Sequence, residues 1–177
     1  MRLLIFLSCA LALFSLASCA LPFSEEARGK EILEGFTQTY QADITLAAGN
    51  LALRAGLSSA PGSCRVVIIE PRSLAGYSYL FREGGVDISY NNLTFSLNAG
   101  AALPAAPLAE AANALSALLL PQPGALPKQK DGYWELSGEI DGAPCALWID
   151  GENGIPIKLL LHDGEMEIKL QNFSFSG

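Results

Sequence analysis

Four thiols and one imidazole are the scarce reactive groups of this chain: Cys9, Cys19, Cys64, Cys145 and His162. A zinc site would need Cys and His at ligand spacing. His162 stands near neither Cys64 nor Cys145 and no CxxC occurs, which speaks against a metal. Hydrolytic or nucleotide chemistry would need a Gly-x-Ser-x-Gly elbow, a phosphate-binding loop or a Gly-x-Gly-x-x-Gly turn, and none is present. Asp141, Asp150 and Asp163 fall in turns, where Asp shapes the backbone, so nothing pairs two of them as acid and base. His162 shares a strand phase with Lys158 and Leu160 and is expected to face solvent. The chain is therefore expected not to be an enzyme, with no catalytic residue, cofactor or metal. Cys64 and Cys145 lie 81 residues apart in strand-like runs. Outside the cytoplasm they leave two options open, a disulfide joining two strands or a pair of thiols buried in the core.

Cys19 has a more specific context. Arg2 is followed by an apolar run from Leu3 to Phe14 and then by Leu16-Ala17-Ser18-Cys19. One positive charge before an apolar stretch of this length has the form of a secretory signal, and is short for a membrane span. The ending resembles the bacterial lipobox: a Leu, two small residues and a Cys. That resemblance implies diacylglycerol on the Cys19 thiol, cleavage before Cys19, and a mature protein held to the membrane by lipid. The plainer alternative is an ordinary signal peptide cut at an Ala-x-Ala-like site, with Cys9 and Cys19 incidental. The lipobox reading divides the chain into a signal peptide (1–18), a lipidated tether (19–24) and a folded domain (25–177). It places the domain on the extracytoplasmic face of the cell membrane. Ala20 after the lipidated Cys permits the outer membrane where a cell has two.

Composition narrows the partners. Removing residues 1–18 takes away Arg2 and no acid, leaving 10 basic against 18 acidic residues and no Lys/Arg cluster. Nucleic-acid binding needs a basic footprint, and electrostatic adhesion to anionic lipid needs one too. Attachment to a membrane must then come from acyl chains, at roughly 0.8 kcal/mol per buried CH₂. The mature length of 159 residues suits one domain with a real core.

The elements follow from periodicity. Ser24 with Glu25 and Glu26 reads as an N-cap and acidic first turn, and Ile32, Leu33 and Phe36 fall at helical spacing, predicting a helix over 25–38. From Tyr40 the period becomes two. Tyr40 to Leu46, Leu51 to Leu57, Cys64 to Ile69, Tyr77 to Phe81, Val86 to Tyr90 and Leu93 to Leu97 read as six strands joined by short turns. Cys64 to Ile69 carries apolar residues on both faces and is expected to be central or covered on both sides. Residues 99–130 interrupt the sheet. Leu108, Ala111, Ala112, Leu115, Leu118 and Leu119 make one apolar helical face, opposite the weakly polar Glu110, Asn113, Ala114 and Ala117, and Lys128 to Lys130 belongs to an exposed connection. Four more strands follow: Tyr133 to Ile140, Ala143 to Asp150, Ile155 to Leu161 and Met166 to Leu170. In the third of these, Ile155, Ile157, Leu159 and Leu161 share a face.

About ten antiparallel strands with one apolar face each need a common cover. The expected fold class is mainly β (α+β): a curved antiparallel half-barrel whose concave side is covered by two helices. Strand and helix phase point Tyr79, Phe81, Ile88, Phe95, Leu115, Leu119, Trp134 and Leu147 into the concave side as candidate cavity residues. The element order, and the closing stretch Leu147-Trp148-Ile149-Asp150, Gly154-Ile155-Pro156-Ile157-Lys158-Leu159 and Gln171-Asn172-Phe173, resemble the lipoprotein carrier and receptor superfamily of LolA, LolB and LppX-type lipoproteins. The resemblance implies an open barrel whose lidded cavity takes an acyl chain, lipid or lipoprotein. Some clostridial members, such as the GerS spore-germination lipoprotein, instead bind a cell-wall amidase, which makes an envelope adaptor working by protein contact the alternative.

Overall fold

The computed structural model describes residues 25–37, 39–98, 106–119, 126–140 and 142–176. The signal peptide, Cys19 and the tether lie outside the described residues, as does Asp141. In chain order the elements are α1 (Glu25–Glu34), β1 (Tyr40–Ala48), β2 (Leu51–Ala60), β3 (Ser63–Glu70), β4 (Ser78–Arg82), β5 (Gly85–Tyr90), β6 (Leu93–Asn98), α2 (Ala106–Leu119), β7 (Lys128–Lys130), β8 (Tyr133–Ile140), β9 (Ala143–Asp150), β10 (Pro156–Leu161) and β11 (Met166–Phe175). All eleven strands form one sheet, in the order β6-β5-β4-β3-β2-β1-β11-β10-β9-β8-β7. Two meanders thus spread from a central antiparallel β1–β11 pair, in which Ile44 faces Leu170 and Leu46 faces Ile168. The sheet is an open half-barrel: its edges β6 and β7 do not meet, and the stretch between them carries α2.

The alternation read from the sequence sets the inner face. Tyr40, Ala42, Ile44 and Leu46 of β1 and Leu53, Ala55 and Leu57 of β2 are buried, and so are Cys145, Leu147 and Ile149 of β9. Burying a Leu or Ile side chain contributes about 1.5–3 kcal/mol, so these rows dominate the stability of the sheet. Helix α2 packs on β8, β9 and β10. Its Leu108, Ala111, Ala112, Leu115, Leu118 and Leu119 are buried as expected, but Ala114, assigned to the weakly polar face, is buried as well. Gly138 of β8 permits this close approach, because a Cβ there would stand 2.9 Å from Leu118 Cδ2.

Four expectations are corrected. The first helix stops at Glu34 rather than at residue 38: Gly35 follows, its amide donating to Glu31 and Ile32 carbonyls in a last tight turn. Lys128–Lys130 is an eleventh strand, paired with Tyr133–Glu135. All three of its residues are exposed, so it carries no apolar signal. Strand β3 is covered on one side only, since Val67 and Ile69 are exposed while Cys64, Val66 and Ile68 are buried. In β10 the register shifts between Pro156 and Lys158, so Pro156 turns inward and Ile157 leaves the face it was assigned.

The closing stretch that carries the family resemblance is built as a turn. Asp150 Oδ1 accepts the amides of Glu152 and Asn153 at 2.9 and 3.0 Å. Asn153 Oδ1 accepts that of Ile155 at 2.9 Å, and Gly154 takes a positive φ of 70°. Lys158 lies 4.3 Å over the Trp148 ring on the outer face. These residues hold the backbone, and Asn153, Gly154 and Ile155 also line a small hollow of about 220 Å³ against α1.

Candidate ligand cavity

Among the described residues a hollow of about 420 Å³ lies where α2 meets the β2–β3 hairpin and the end of β4. That is within the range of small-molecule sites. Three elements make it. Pro61-Gly62 turns the chain between β2 and β3, with Gly62 at φ +74°, and sets Ser59 and Cys64 on either side. Phe81 pairs with Cys64 across β3 and β4 and supplies an apolar wall. From above, α2 contributes Asn113, Ser116 and Leu119, which recur every third residue and so share a helical stripe. The stripe runs from exposed Asn113 through half-buried Ser116 to buried Leu119. The hollow thus has a polar rim and an apolar floor.

Beneath it Tyr40 ties β1 to the helix: its hydroxyl is 3.4 Å from Ser116 Oγ, and its ring stacks on Phe173 at 5.4 Å. Burial pushes the Tyr40 phenol above its ordinary range, with the hydrogen bond it shares with Ser116 opposing. Burial also pushes the Cys64 thiol up to about 12. A thiol held neutral in this way is an apolar wall and not a nucleophile. The geometry can hold an elongated apolar group with a polar end at the rim, where Arg82 and Glu83 also stand.

The sequence-derived candidates divide by wing of the sheet. Phe81 and Leu119 line the hollow. Tyr79 is buried beside Phe81, with ring centroids 6.2 Å apart. Ile88 is half-buried on the same inner row, and Phe95 next to it on β6 is 61% exposed. Leu115, Trp134 and Leu147 are packed solid under α2 and touch no open space. Four lining residues lie outside that set: Asn113 and Ser116 are polar positions of an apolar helix, and Tyr40 and Ser59 meet the hollow only through where that helix sits over β1 and β2.

Two further expectations are settled by position. Cys64 and Cys145 are free and buried, not bridged. Between β3 and β9 stand β2, β1, β11 and β10, far more than a disulfide can span. His162 is partly exposed, as expected, but does not stand free in solvent. β10 ends at Leu161, His162 turns to φ +51°, and its Nε2 pairs with Oε1 of Glu110 on α2. The strand phase used to place it had already ended. Among the described residues no His, Cys, Asp and Glu group could hold a metal ion, and no helix is long and apolar enough to cross a membrane.

No family model matches the chain, and no curated protein matches it. Solved structures do. An uncharacterized conserved protein from Thermus thermophilus shares 19% identity, with 85% of this chain and 84% of that one covered at a TM-score of 0.49. A LolA superfamily protein from Nitrosomonas europaea shares 16%, covering 87% and 93% at 0.41. A chain of the CwlD amidase–GerS lipoprotein complex from Clostridioides difficile shares 13%, covering 83% and 91% at 0.46. At these identities the likeness concerns the course of the chain and not what it binds.

Proposed function

We propose that this chain is an extracytoplasmic bacterial lipoprotein, held to the membrane by lipid on Cys19, whose half-barrel domain over 25–177 binds an acyl chain of a lipid or lipoprotein without catalysis. The observation that carries the reading is the hollow itself. Its apolar floor of Phe81, Cys64 and Leu119 continues across the sheet through Val86 and Leu97, one inner-row pair from half-buried Ile88 and exposed Phe95. A chain entering at the rim of Asn113, Arg82 and Glu83 therefore meets apolar surface. Native mass spectrometry of the chain starting at Ala20 tests it. Co-purified lipid, lost on Asn113→Trp at the rim, is the expected result; a ligand-free protein under conditions that preserve the fold counts against it.

A second reading is an envelope adaptor that works by protein contact. The solid packing of Leu115, Trp134 and Leu147 under α2 favours it, since that wing leaves no room for a ligand. A stable protein partner captured by the lipid-free domain, with no lipid bound, would select it. The anchor is common to both readings. Cys19→Ala is expected to release the protein from the membrane fraction, and a membrane-bound variant would refute the tether.

A further inference from the structure

The two edges of the sheet are treated in opposite ways. Edge strand β7 is three residues long, carries Lys128 and Lys130, and has Lys130 paired with Glu135 at 3.4 Å. Short, charged edges resist pairing with another chain. Edge strand β6 has none of this protection. Leu93–Asn98 is twice as long and contains no charged residue. Among the described residues its only strand neighbour is β5. Leu93 and Phe95 are each 61% exposed.

The order of side chains along β6 is itself informative. Leu93, Phe95 and Leu97 follow the inner row, since Phe95 pairs with Ile88 and Leu97 with Val86. Thr94 and Ser96 face the other way, where Ser89 Oγ is 3.0 Å from Thr94 Oγ1 and Ser96 donates to Asp87 at 2.8 Å. Read outward from Phe95, the strand is therefore the same in both directions: hydroxyl, then Leu. A two-fold antiparallel pairing is suited by this symmetry, because it sets like side chains opposite each other on both faces.

We propose that β6 is a self-pairing edge through which two copies of this chain join, with β6 antiparallel to its counterpart and Phe95 on the two-fold axis. In this register Leu93 lies opposite Leu97 of the second copy, and Thr94 opposite Ser96. Apolar meets apolar on the inner face and hydroxyl meets hydroxyl on the outer. A slip of one residue would set Leu against Thr and turn the inner row to the wrong face. No charge opposes the approach. The two sheets become one, with both hollows on the same side. A single pair of short strands holds weakly, so the dimer is expected to depend on concentration. The inference does not require a ligand in the hollow.

Cross-linking of the full-length chain in the producing cell tests it. Phe95→Cys places two thiols directly opposite each other, and a mild thiol oxidant is expected to give a covalent dimer. Tyr90→Cys, an exposed position on β5 away from the axis, is expected to give none. Thr94→Cys and Ser96→Cys are each expected to give no covalent dimer alone and to link when co-expressed. Phe95 is largely exposed, so the variant keeps its fold, which its thermal midpoint checks. A monomeric Phe95→Cys protein, or a link formed equally by Tyr90→Cys, overturns the proposal.

Discussion

The β8–β10 wing and the β4–β6 wing carry the same alternation and meet different fates. On the first, α2 covers the inner row, so Leu136, Leu147, Ile149 and Leu159 are buried completely or nearly so. On the second, burial falls toward the edge, from Tyr79 and Val86 through half-buried Ile88 to exposed Phe95. Alternation therefore tells which way a side chain points, and the position of one helix decides whether anything meets it there. The covered wing stores stability. The open wing, with the hollow at its border, retains apolar surface for something else to cover.

The largest effect should separate the wings outright. Leu115→Asp buries a carboxylate under α2 and is expected to cost more than about 4 kcal/mol, unfolding the domain by circular dichroism. Phe95→Asp on the open wing should stay within about 0.5 kcal/mol in urea titrations of dilute protein. Equal losses at both positions would erase the distinction. Next in size, Leu147→Ala is expected to cost about 2–5 kcal/mol through the cavity it leaves, while Ile88→Ala should cost clearly less.

The buried thiol beside the hollow predicts an alkaline limb. In the unfolded chain Cys64 loses its proton near pH 9, whereas in the fold it holds it to about 12. Above pH 9 the unfolded state binds fewer protons than the folded one, so stability falls as pH rises toward 12, and below pH 9 the contribution vanishes. Cys64→Ala should flatten that fall in chemical denaturation between pH 8 and 10. A steeper fall in the variant would contradict the assignment. Last, Glu110→Gln removes a half-exposed pairing with His162 and should cost no more than about 1 kcal/mol. A loss several times larger would mean that this contact, and not the apolar face of α2, holds the helix down.

Most of the fold was legible because turns and alternation are local. Gly49-Asn50, Asn91-Asn92 and Gly142 occupy turn positions where the structure has positive φ at Gly49, Asn91, Asn92 and Gly142. What local pattern could not carry was cover and register. Val67 and Ile69 are as apolar as buried strand residues, yet no layer reaches them. The bulge before Lys158 changes phase without changing composition. Lys128–Lys130 is a strand only because β8 lies beside it. The hollow joins Tyr40, Cys64, Phe81 and Ser116 from four separate elements. Phe81 and Leu119 were found through their phase; Tyr40 and Ser116 depended on where the helix lands.

Titration of the mature chain with a fluorescent fatty acid measures the ligand reading most directly. Saturable binding at one site, weakened at least tenfold by Asn113→Trp while the thermal midpoint of the free protein holds, is the predicted result, about 1.4 kcal/mol of binding free energy. Absence of saturable binding, or identical curves for both proteins, would contradict the assignment of the hollow.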